Sequence, residues 1–319
     1  MTDRILVTGG AGFIGSHLAE RLVSGGSRVT CLDNFDSYYP KTTKNRNIAS
    51  ALASRDAELV EADIRRIGRL REVFAEVQPA AVVHLAARPG VRQSLANPRV
   101  YYEINLNGTL NVLLAAREAK VPRVVFASTS SVYGTVEGPA KEDETPCRPL
   151  SPYGASKVGA EALCSSFAQS SAMSILALRF FTVIGPRQRP DMAIPQFTRK
   201  IRNGEPIRVF GDGSSMRDYT FVSDIVDAVE AAVFVEHHGF TAFNVGGGNP
   251  IALSTVIRHI EEEVGRPAIQ HFEPPHPVDP HLTFADITKA RQVLGYEPKV
   301  SVGEAISRYV EWLKCQPAG

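Results

Sequence analysis

The feature that most constrains this chain is Gly9-Gly10-Ala11-Gly12-Phe13-Ile14-Gly15, which directly follows an apolar β-type run, Arg4 to Thr8. Glycines at 9, 12 and 15 suit a strand that turns sharply, lets its backbone approach a pyrophosphate closely, and packs the next helix tightly on the sheet. Ile14 to Val23 carries apolar residues at helix period, so the loop opens a helix whose first N–H groups are free to bind phosphate. A tight turn without a ligand is the alternative, and strand, loop and helix in immediate succession disfavour it.

The first half continues in the same rhythm. Apolar runs at Arg28 to Leu32, Glu58 to Glu61, Ala80 to Leu85 and Arg123 to Ala127 alternate with amphipathic segments at Gly68 to Val77 and Leu106 to Lys120. Runs without in-out alternation belong to strands buried on both faces, so the expected fold is α/β, a Rossmann-type doubly wound parallel sheet with crossover helices. Beyond about residue 180 the texture changes. Gly185 to Pro195 is rich in Pro and Arg, Gly204 to Ser215 is turn-rich, Asp224 to Glu236 reads as helix and Thr241 to Val245 as strand. The proline-rich Phe272 to Pro280 reads as loop, and Ile287 to Leu294 and Val302 to Leu313 read as helices. The expected division is a dinucleotide-binding domain over 1–180, with 224–250 returning to it, and a smaller C-terminal α/β substrate domain over 181–223 and 251–319.

Composition narrows the partners. The 35 Lys plus Arg are balanced by 34 Asp plus Glu without a run of like charge, which leaves no footprint for nucleic acid and favours a small ligand. Cys31, Cys147, Cys164 and Cys315 form no CxxC and no histidine-paired cluster, so neither a metal site nor a disulfide framework is expected. No stretch approaches the roughly 20 apolar residues of a membrane helix, and the start of the chain runs straight into a strand. A soluble cytoplasmic protein is the expectation.

Asp33 ends the second apolar run, where a carboxylate accepts hydrogen bonds from the adenosine ribose hydroxyls and repels a 2′-phosphate. That favours NAD over NADP, with Lys41, Lys44 and Arg46 as nearby cations acting in the opposite sense. Asp63, after the third run, is placed either to reach the adenine or to serve as a helix-start carboxylate. In Ser151-Pro152-Tyr153-Gly154-Ala155-Ser156-Lys157, Tyr153 and Lys157 stand four apart at the start of a helical segment, on one face. An ammonium and an oxidised nicotinamide nearby both favour phenolate, which suits the tyrosine to act as a base. Ser128 to Ser131 follow the fifth run at its carboxyl end, where open parallel sheets bind ligands and hydroxyls can orient a substrate. Alone, such residues more often form a solvated helix face or a turn. Beside the glycine loop they form a reactive set.

These segments together are similar to the extended short-chain dehydrogenase/reductases of the NAD-dependent nucleotide-sugar epimerase/dehydratase family. The resemblance runs through GGAGFIG at 9–15, LDN at 32–34, ADI at 62–64, HLAA at 84–87, INLNGT at 104–109, STSSVYG at 128–134, SPYGASK at 151–157, RFFTVIGPRQRPDMA at 179–193, RDYTFVSD at 217–224 and NVGGG at 244–248. It implies NAD as cofactor and a UDP-sugar as substrate. It makes Tyr153 the base, has Lys157 hold the nicotinamide ribose and tune Tyr153, and puts Thr129 at the family's catalytic Ser/Thr position. Phe13, Ile14, Asn34, Ile64, Leu85, Ala86 and Ala87 would contact the cofactor, and Asn105 would stand near the active site. A homodimer is implied, joined through helices at about 99–118 and 152–170.

The resemblance also bears on the reaction. Such enzymes first oxidise C4 of the sugar; the dehydratases follow the catalytic threonine with an Asp-Glu pair, and the decarboxylases usually carry a glutamate there. Here Ser130 and Ser131 stand at those positions, which leaves 4-epimerisation. The stretch from Arg179 to Ala193 is similar to that of family members acting on UDP-glucuronate, whereas members acting on UDP-glucose typically have asparagine where Thr182 stands. A C6 carboxylate needs a cation and neutral donors, which Arg189 with Thr129, Ser130 and Ser131 can supply. Alternatively Arg187 or Arg189 binds diphosphate or caps its loop. Arg217 matches the family's diphosphate arginine, and Arg208-Val209-Phe210 would face the uracil. The family's Arg-x-Gly-Asp reads His276-Pro277-Val278-Asp279, and Tyr is usual at Ile184. Arg92 and Ser94 are either substrate contacts or surface residues. Two readings of other kinds remain: an NAD-binding sensor, which would not need Tyr153 and Lys157, and a dehydrogenase that consumes NAD.

Overall fold

The computed structural model describes residues 3–316; residues 1–2 and 317–319, the outer ends of the two expected domains, lie outside the described residues. From the amino terminus, β1 (Arg4–Thr8) leads through the glycine turn into α1 (Phe13–Ser24), followed by β2 (Arg28–Asp33), α2 (Lys41–Leu52), β3 (Ala57–Glu61), α3 (Ile67–Val77) and β4 (Ala81–His84). Two short helices, α4 (Val91–Ala96) and α5 (Pro98–Tyr101), a π-helical segment (Tyr102–Gly108) and α6 (Thr109–Glu118) connect β4 to β5 (Arg123–Thr129). Then come α7 (Pro152–Ser170), β6 (Ser174–Phe180), β7 (Thr182–Ile184), α8 (Ala193–Asn203), β8 (Ile207–Phe210), β9 (Met216–Arg217), β10 (Tyr219–Phe221) and α9 (Val222–Phe234). The chain ends with β11 (Phe240–Val245), β12 (Ile251–Ala252), α10 (Leu253–Val264), β13 (Gln270–Glu273), α11 (Thr288–Leu294) and α12 (Val302–Lys314).

Seven strands form one parallel sheet in the order β11-β6-β5-β4-β1-β2-β3. The chain winds outward from β1 through β2 and β3, then from β4 through β5 and β6 on the other side. The reversal opens a crevice at the carboxyl ends of β1 and β4, the place where open α/β sheets bind ligands. Both faces are covered: Ile5 and Val7 join one apolar layer with Leu18 and Leu22, while Leu6 joins the other with Leu70, Phe74 and Val112. Amphipathic spacing explains the outer helices, since α3 buries Leu70, Val73, Phe74 and Val77, and α8 buries Ile194, Phe197, Thr198 and Ile201 before stopping at left-handed Gly204. Smaller strand pairs, β10 with β7, β13 with β8 and β12 with β9, build the wall beyond the sheet's carboxyl edge.

Several expectations need correction. The segment expected as one helix from Leu106 to Lys120 begins earlier, as a π-helix, and ends at Glu118. The turn-rich Gly204 to Ser215 contains β8, and the loop expected from Phe272 starts only at Pro274, because Phe272 and Glu273 pair with β8 ahead of the first proline. Helix α2 lacks an apolar stripe; besides Ile48 and Ala51 it buries Lys44 and Asn47, which periodicity reads as surface.

Candidate active site

Two of the three glycines are required by what surrounds them. Gly9 has φ +73°, and a Cβ there would stand 2.8 Å from the backbone nitrogen of Ala86; a Cβ on Gly15 would stand 2.3 Å from the Gly9 carbonyl oxygen. Helix α1 starts with no side-chain cap and no acidic residue in its first turn, so its free N–H groups and positive dipole end are left for an anion. They open on a cleft of about 1230 Å³ that runs from Asp33 and Asp63 past Leu85, Ala86 and Ala87 to Tyr153, and on to Arg217 and Asp279. A cradle that side chains would fill, beside a long cleft with an acid at one end, fits a dinucleotide.

At the Asp33 end, one carboxylate oxygen accepts from the Phe35 amide at 2.8 Å and the other from the Ala11 amide at 3.2 Å, which fixes the acid in the glycine turn. Of the nearby cations only Lys44 enters, buried with its Nζ 3.5 Å from Asp33 Oδ1; Lys41 pairs with Glu61 outside and Arg46 is exposed. Asp63 lines the cleft and accepts from Asn34 Nδ2 at 3.0 Å, and it also closes the turn before α3 by accepting from the Arg65 amide at 2.8 Å. Burial works against its ionisation, but the bonds from Arg65 and Asn34 outweigh it and hold the carboxyl down at about 2. Phe13, Ile14 and Ile64 line the same stretch.

The reactive residues are set by how α7 begins. Ser151 caps it by accepting from the Gly154 amide at 3.2 Å and Pro152 occupies its first turn, so Tyr153 follows at the mouth and Lys157 one turn deeper. Lys157 is buried, donates to the Ala127 carbonyl at 2.8 Å, and burial lowers its pKa to about 8. Burial raises the pKa of the Tyr153 phenol; a hydrogen bond with Thr129 and the charge of Arg189 oppose that rise. Arg189 is thus a cation whose field reaches the phenol. Thr129 ends β5 and accepts from the Ser131 amide at 3.2 Å, which turns Ser130 and Ser131 along the cleft wall. Asn105 does not line the cleft. From the π-helix it accepts from the Arg88 amide at 2.7 Å and donates to the Arg88 carbonyl and Ser156 Oγ, both at 3.0 Å, tying the loop after β4 to α7.

Toward the far end, Arg189 holds both oxygens of Asp191 at 3.0 Å, and Thr182 lines the wall beside it. Arg187 is a loop cap: at φ +64° it turns to Glu20, 2.7 Å away on α1. Arg217 donates to the carbonyls of Met216 and His281 and, among the described residues, has no carboxylate within ion-pair distance; burial lowers its pKa. It is an uncompensated cation facing the cleft. Arg92 is ion-paired to Asp279 and lies 3.9 Å from the ring centroid of Phe210, and Arg208 pairs with Glu273 at the exposed rim. Two expected contacts fail. Ser94 is fully buried and donates to the Val91 carbonyl at 2.6 Å, Val209 points into the core, and only Arg208 and Phe210 of that run line the cleft. Ile184 is a core residue of β7, and His276 lines the rim edge-on to Phe210.

Sequence reasoning missed the buried network behind this wall. Glu161 on α7 accepts from Ser128 Oγ and forms a two-bond pair with Arg179 at 3.0 and 2.7 Å; Arg179 continues to the Tyr133 hydroxyl, which donates to Asn244. A helical signal existed, since Glu161 follows Tyr153 and Lys157 at four-residue spacing. Among the described residues no cluster of His, Cys, Asp and Glu could hold a metal ion, and no helix is long and apolar enough to cross a membrane.

Comparison with known proteins matches residues 5–246 to the model of the NAD dependent epimerase/dehydratase family. Over 310 residues the chain is 39% identical to a UDP-glucuronate 4-epimerase of Thermodesulfobacterium geofontis, covering 97% of this chain and 95% of the relative. It is 38% identical over 312 residues to the uncharacterized UDP-glucose epimerase YtcB of Bacillus subtilis, covering 97% and 98%. Among solved structures it is similar to the UDP-glucuronic acid 4-epimerase from Bacillus cereus in complex with UDP-glucuronic acid and NAD, with a TM-score of 0.92, 36% identity, and 98% and 99% of the two chains covered.

Proposed function

The chain belongs to the NAD dependent epimerase/dehydratase family, and on that premise we propose that it inverts C4 of a UDP-hexose, interconverting UDP-glucuronate and UDP-galacturonate. One observation carries the reading. Around Tyr153 the cleft wall offers the hydroxyls of Thr129, Ser130 and Ser131 and the guanidinium of Arg189, while Asp191 on the same wall is committed to that guanidinium. Such a site has neutral donors and a cation for a C6 carboxylate and no free acid for elimination.

Bound NAD supplies a reversible hydride acceptor for C4. Gly9, Gly12, Gly15 and the start of α1 hold its diphosphate, Asp33 with Asn34 and Asp63 its adenosine, and Leu85 to Ala87 line its path. Tyr153 takes the proton of the 4-hydroxyl, oriented by Thr129, and returns it after the sugar has turned over; Lys157 holds the nicotinamide ribose. At the other end Arg217 neutralises the UDP diphosphate, Arg208 and Phe210 flank the uracil, and Arg92 and Asp279 close the rim over the nucleotide. A 4-keto uronate is a β-keto acid and loses CO2 when its C5–C6 bond aligns with the carbonyl π system. Arg189, Thr129, Ser130, Ser131 and Thr182 keep the carboxylate off that axis, by orientation rather than acid-base chemistry. Residues 1–180 with 224–250 would serve NAD, and 181–223 with 251–319 the UDP-sugar. The protein would work as a cytoplasmic homodimer joined through helices at 99–118 and 152–170, where Tyr102 and Ala162 are exposed and Leu106 is half-buried.

The test is incubation of the purified protein with NAD and UDP-glucuronate, followed by proton NMR. UDP-galacturonate should accumulate to equilibrium without a rise in reduced nicotinamide. The 38% identity to the UDP-glucose epimerase YtcB supports UDP-glucose as the substrate of a second reading. A parallel incubation with UDP-glucose that forms UDP-galactose, with UDP-glucuronate left unchanged, would establish that second reading, and turnover of neither sugar would leave an NAD-binding sensor.

A further inference from the structure

Arg189 is held in a way that the reaction above does not require. A guanidinium can meet a carboxylate in parallel along two edges, the side edge formed by Nε and one Nη, or the end edge formed by both Nη. Asp191 takes the side edge, with Oδ1 3.0 Å from Nε and Oδ2 3.0 Å from Nη2. Among the described residues Nη1 has no hydrogen-bond partner, so the end edge is free, in a cleft wall whose charge is felt by Tyr153.

Asp191 is itself anchored. Its Oδ2 accepts from the Tyr38 hydroxyl at 3.0 Å, and the Tyr38 ring centroid lies 4.4 Å from the Arg88 guanidinium carbon and 5.5 Å from that of Arg189. Burial and the Asp191 charge push the Tyr38 phenol up, so it stays a donor; burial opposes ionisation of Asp191, but Arg189 and Tyr38 outweigh it. The loop that carries Tyr38 follows β2 and Asp33, so the same segment that walls the adenosine end reaches the sugar end through one hydrogen bond.

We propose that Asp191, anchored by Tyr38, is a specificity-determining positioning residue: by occupying one edge of the Arg189 guanidinium it turns the other edge toward the sugar's C6 carboxylate. An unanchored arginine samples many rotamers and must lose them on binding; one pinned along its side edge is already ordered. The inference rests on the uronate reading above. When the grip on the carboxylate loosens after C4 has been oxidised, the C5–C6 bond breaks, its electron pair passes into the C4 carbonyl as an enolate, CO2 leaves, and C5 takes a proton from water. The product is a UDP-4-keto-pentose.

Asp191→Ala, Asp191→Asn and Tyr38→Phe in the full-length protein with NAD test this. Two quantities are read: kcat/KM for UDP-glucuronate relative to UDP-glucose, and the share of turnovers that end as UDP-4-keto-pentose by mass spectrometry. Asp191→Ala should lower the ratio by about 10- to 100-fold, the effect of misplacing a positioning group, and raise the pentose share. Asp191→Asn should fall between Asp191→Ala and the parent. Tyr38→Phe should lower the ratio by about 2- to 10-fold, as expected for one hydrogen bond. Equal losses with both sugars and no pentose would make Asp191 a structural residue and overturn the proposal. If Asp191→Ala does not fold, Tyr38→Phe, which lacks one oxygen, decides by the same ratio. A parent protein that fails to epimerise UDP-glucuronate refutes the proposed function; one that does so, with variants that keep its ratio, refutes only the role of Asp191.

Discussion

Replacing His84 with glutamine should change how stability depends on pH, and the size of the change follows from the bonds around the ring. The imidazole is buried at the end of β4, with Nδ1 2.7 Å from Thr8 Oγ1 and Nε2 3.0 Å from Thr109 Oγ1. The Thr109 hydroxyl gives its proton to the Asn105 carbonyl at 2.6 Å, so its oxygen can only accept from the ring, and the ring hydrogen sits on Nε2. Nδ1 then accepts from the Thr8 hydroxyl, whose oxygen accepts from the Ala86 amide at 3.3 Å. A second ring proton would meet the Thr8 hydrogen head on. Burial, and after it the charge of Lys157, lower the pKa to about 3. The unfolded chain takes up that proton near pH 6.5 and the folded one does not, so the contribution is full above about pH 6.5 and is lost as pH falls toward 3. Between pH 7 and 4.5 the loss integrates to about 3 kcal/mol, or about 4 °C in Tm for a chain this long. Thermal unfolding of the parent and His84→Gln at both pH values measures it: the parent's advantage should shrink by that amount in acid. An advantage independent of pH, or a ring 15N titration near pH 6.5 in the folded protein, would refute the fixed neutral tautomer.

Other residues give equally direct tests. Tyr153→Phe should lower turnover by roughly 10² to 10⁴ while calorimetric titration shows cofactor and UDP-sugar binding nearly intact, since one hydroxyl is lost. Asp33→Ala should weaken NAD and relax discrimination against NADP, because it leaves Lys44 in the ribose pocket without its acid; competitive binding titrations read the ratio. Arg179→Met should destabilise the fold by about 3–5 kcal/mol, since Glu161 stays buried without its cation, and Tm should fall by roughly 4–8 °C.

Much of the site is written locally. The glycine turn, Asp33 at the end of β2, Thr129 at the end of β5, and Tyr153 with Lys157 at the start of α7 all depend on residues a few positions apart. Strand or helix period and capping chemistry place them. What stayed hidden joins distant segments. Tyr38 meets Asp191, and Glu161 meets Arg179, only because the fold brings loops and strands together. Ser94 misled because a short helix turns it inward and leaves Arg92 in the cleft. The part Asn105 plays stayed hidden because the π-helical turn, invisible to a 3.6-residue period, aims it at the Arg88 backbone. Lys44 was weighed only with Lys41 and Arg46 as a nearby cation, and burial on α2 singles it out as the partner of Asp33.

The central claim is that C4 is inverted by losing and regaining the same hydrogen. UDP-glucuronate labelled with deuterium at C4, incubated in ordinary water with the protein and NAD, tests it most directly. Mass spectrometry and NMR of the product should find UDP-galacturonate with the deuterium still at C4. Product that has exchanged the label for solvent hydrogen, or no galacturonate at all, would contradict it.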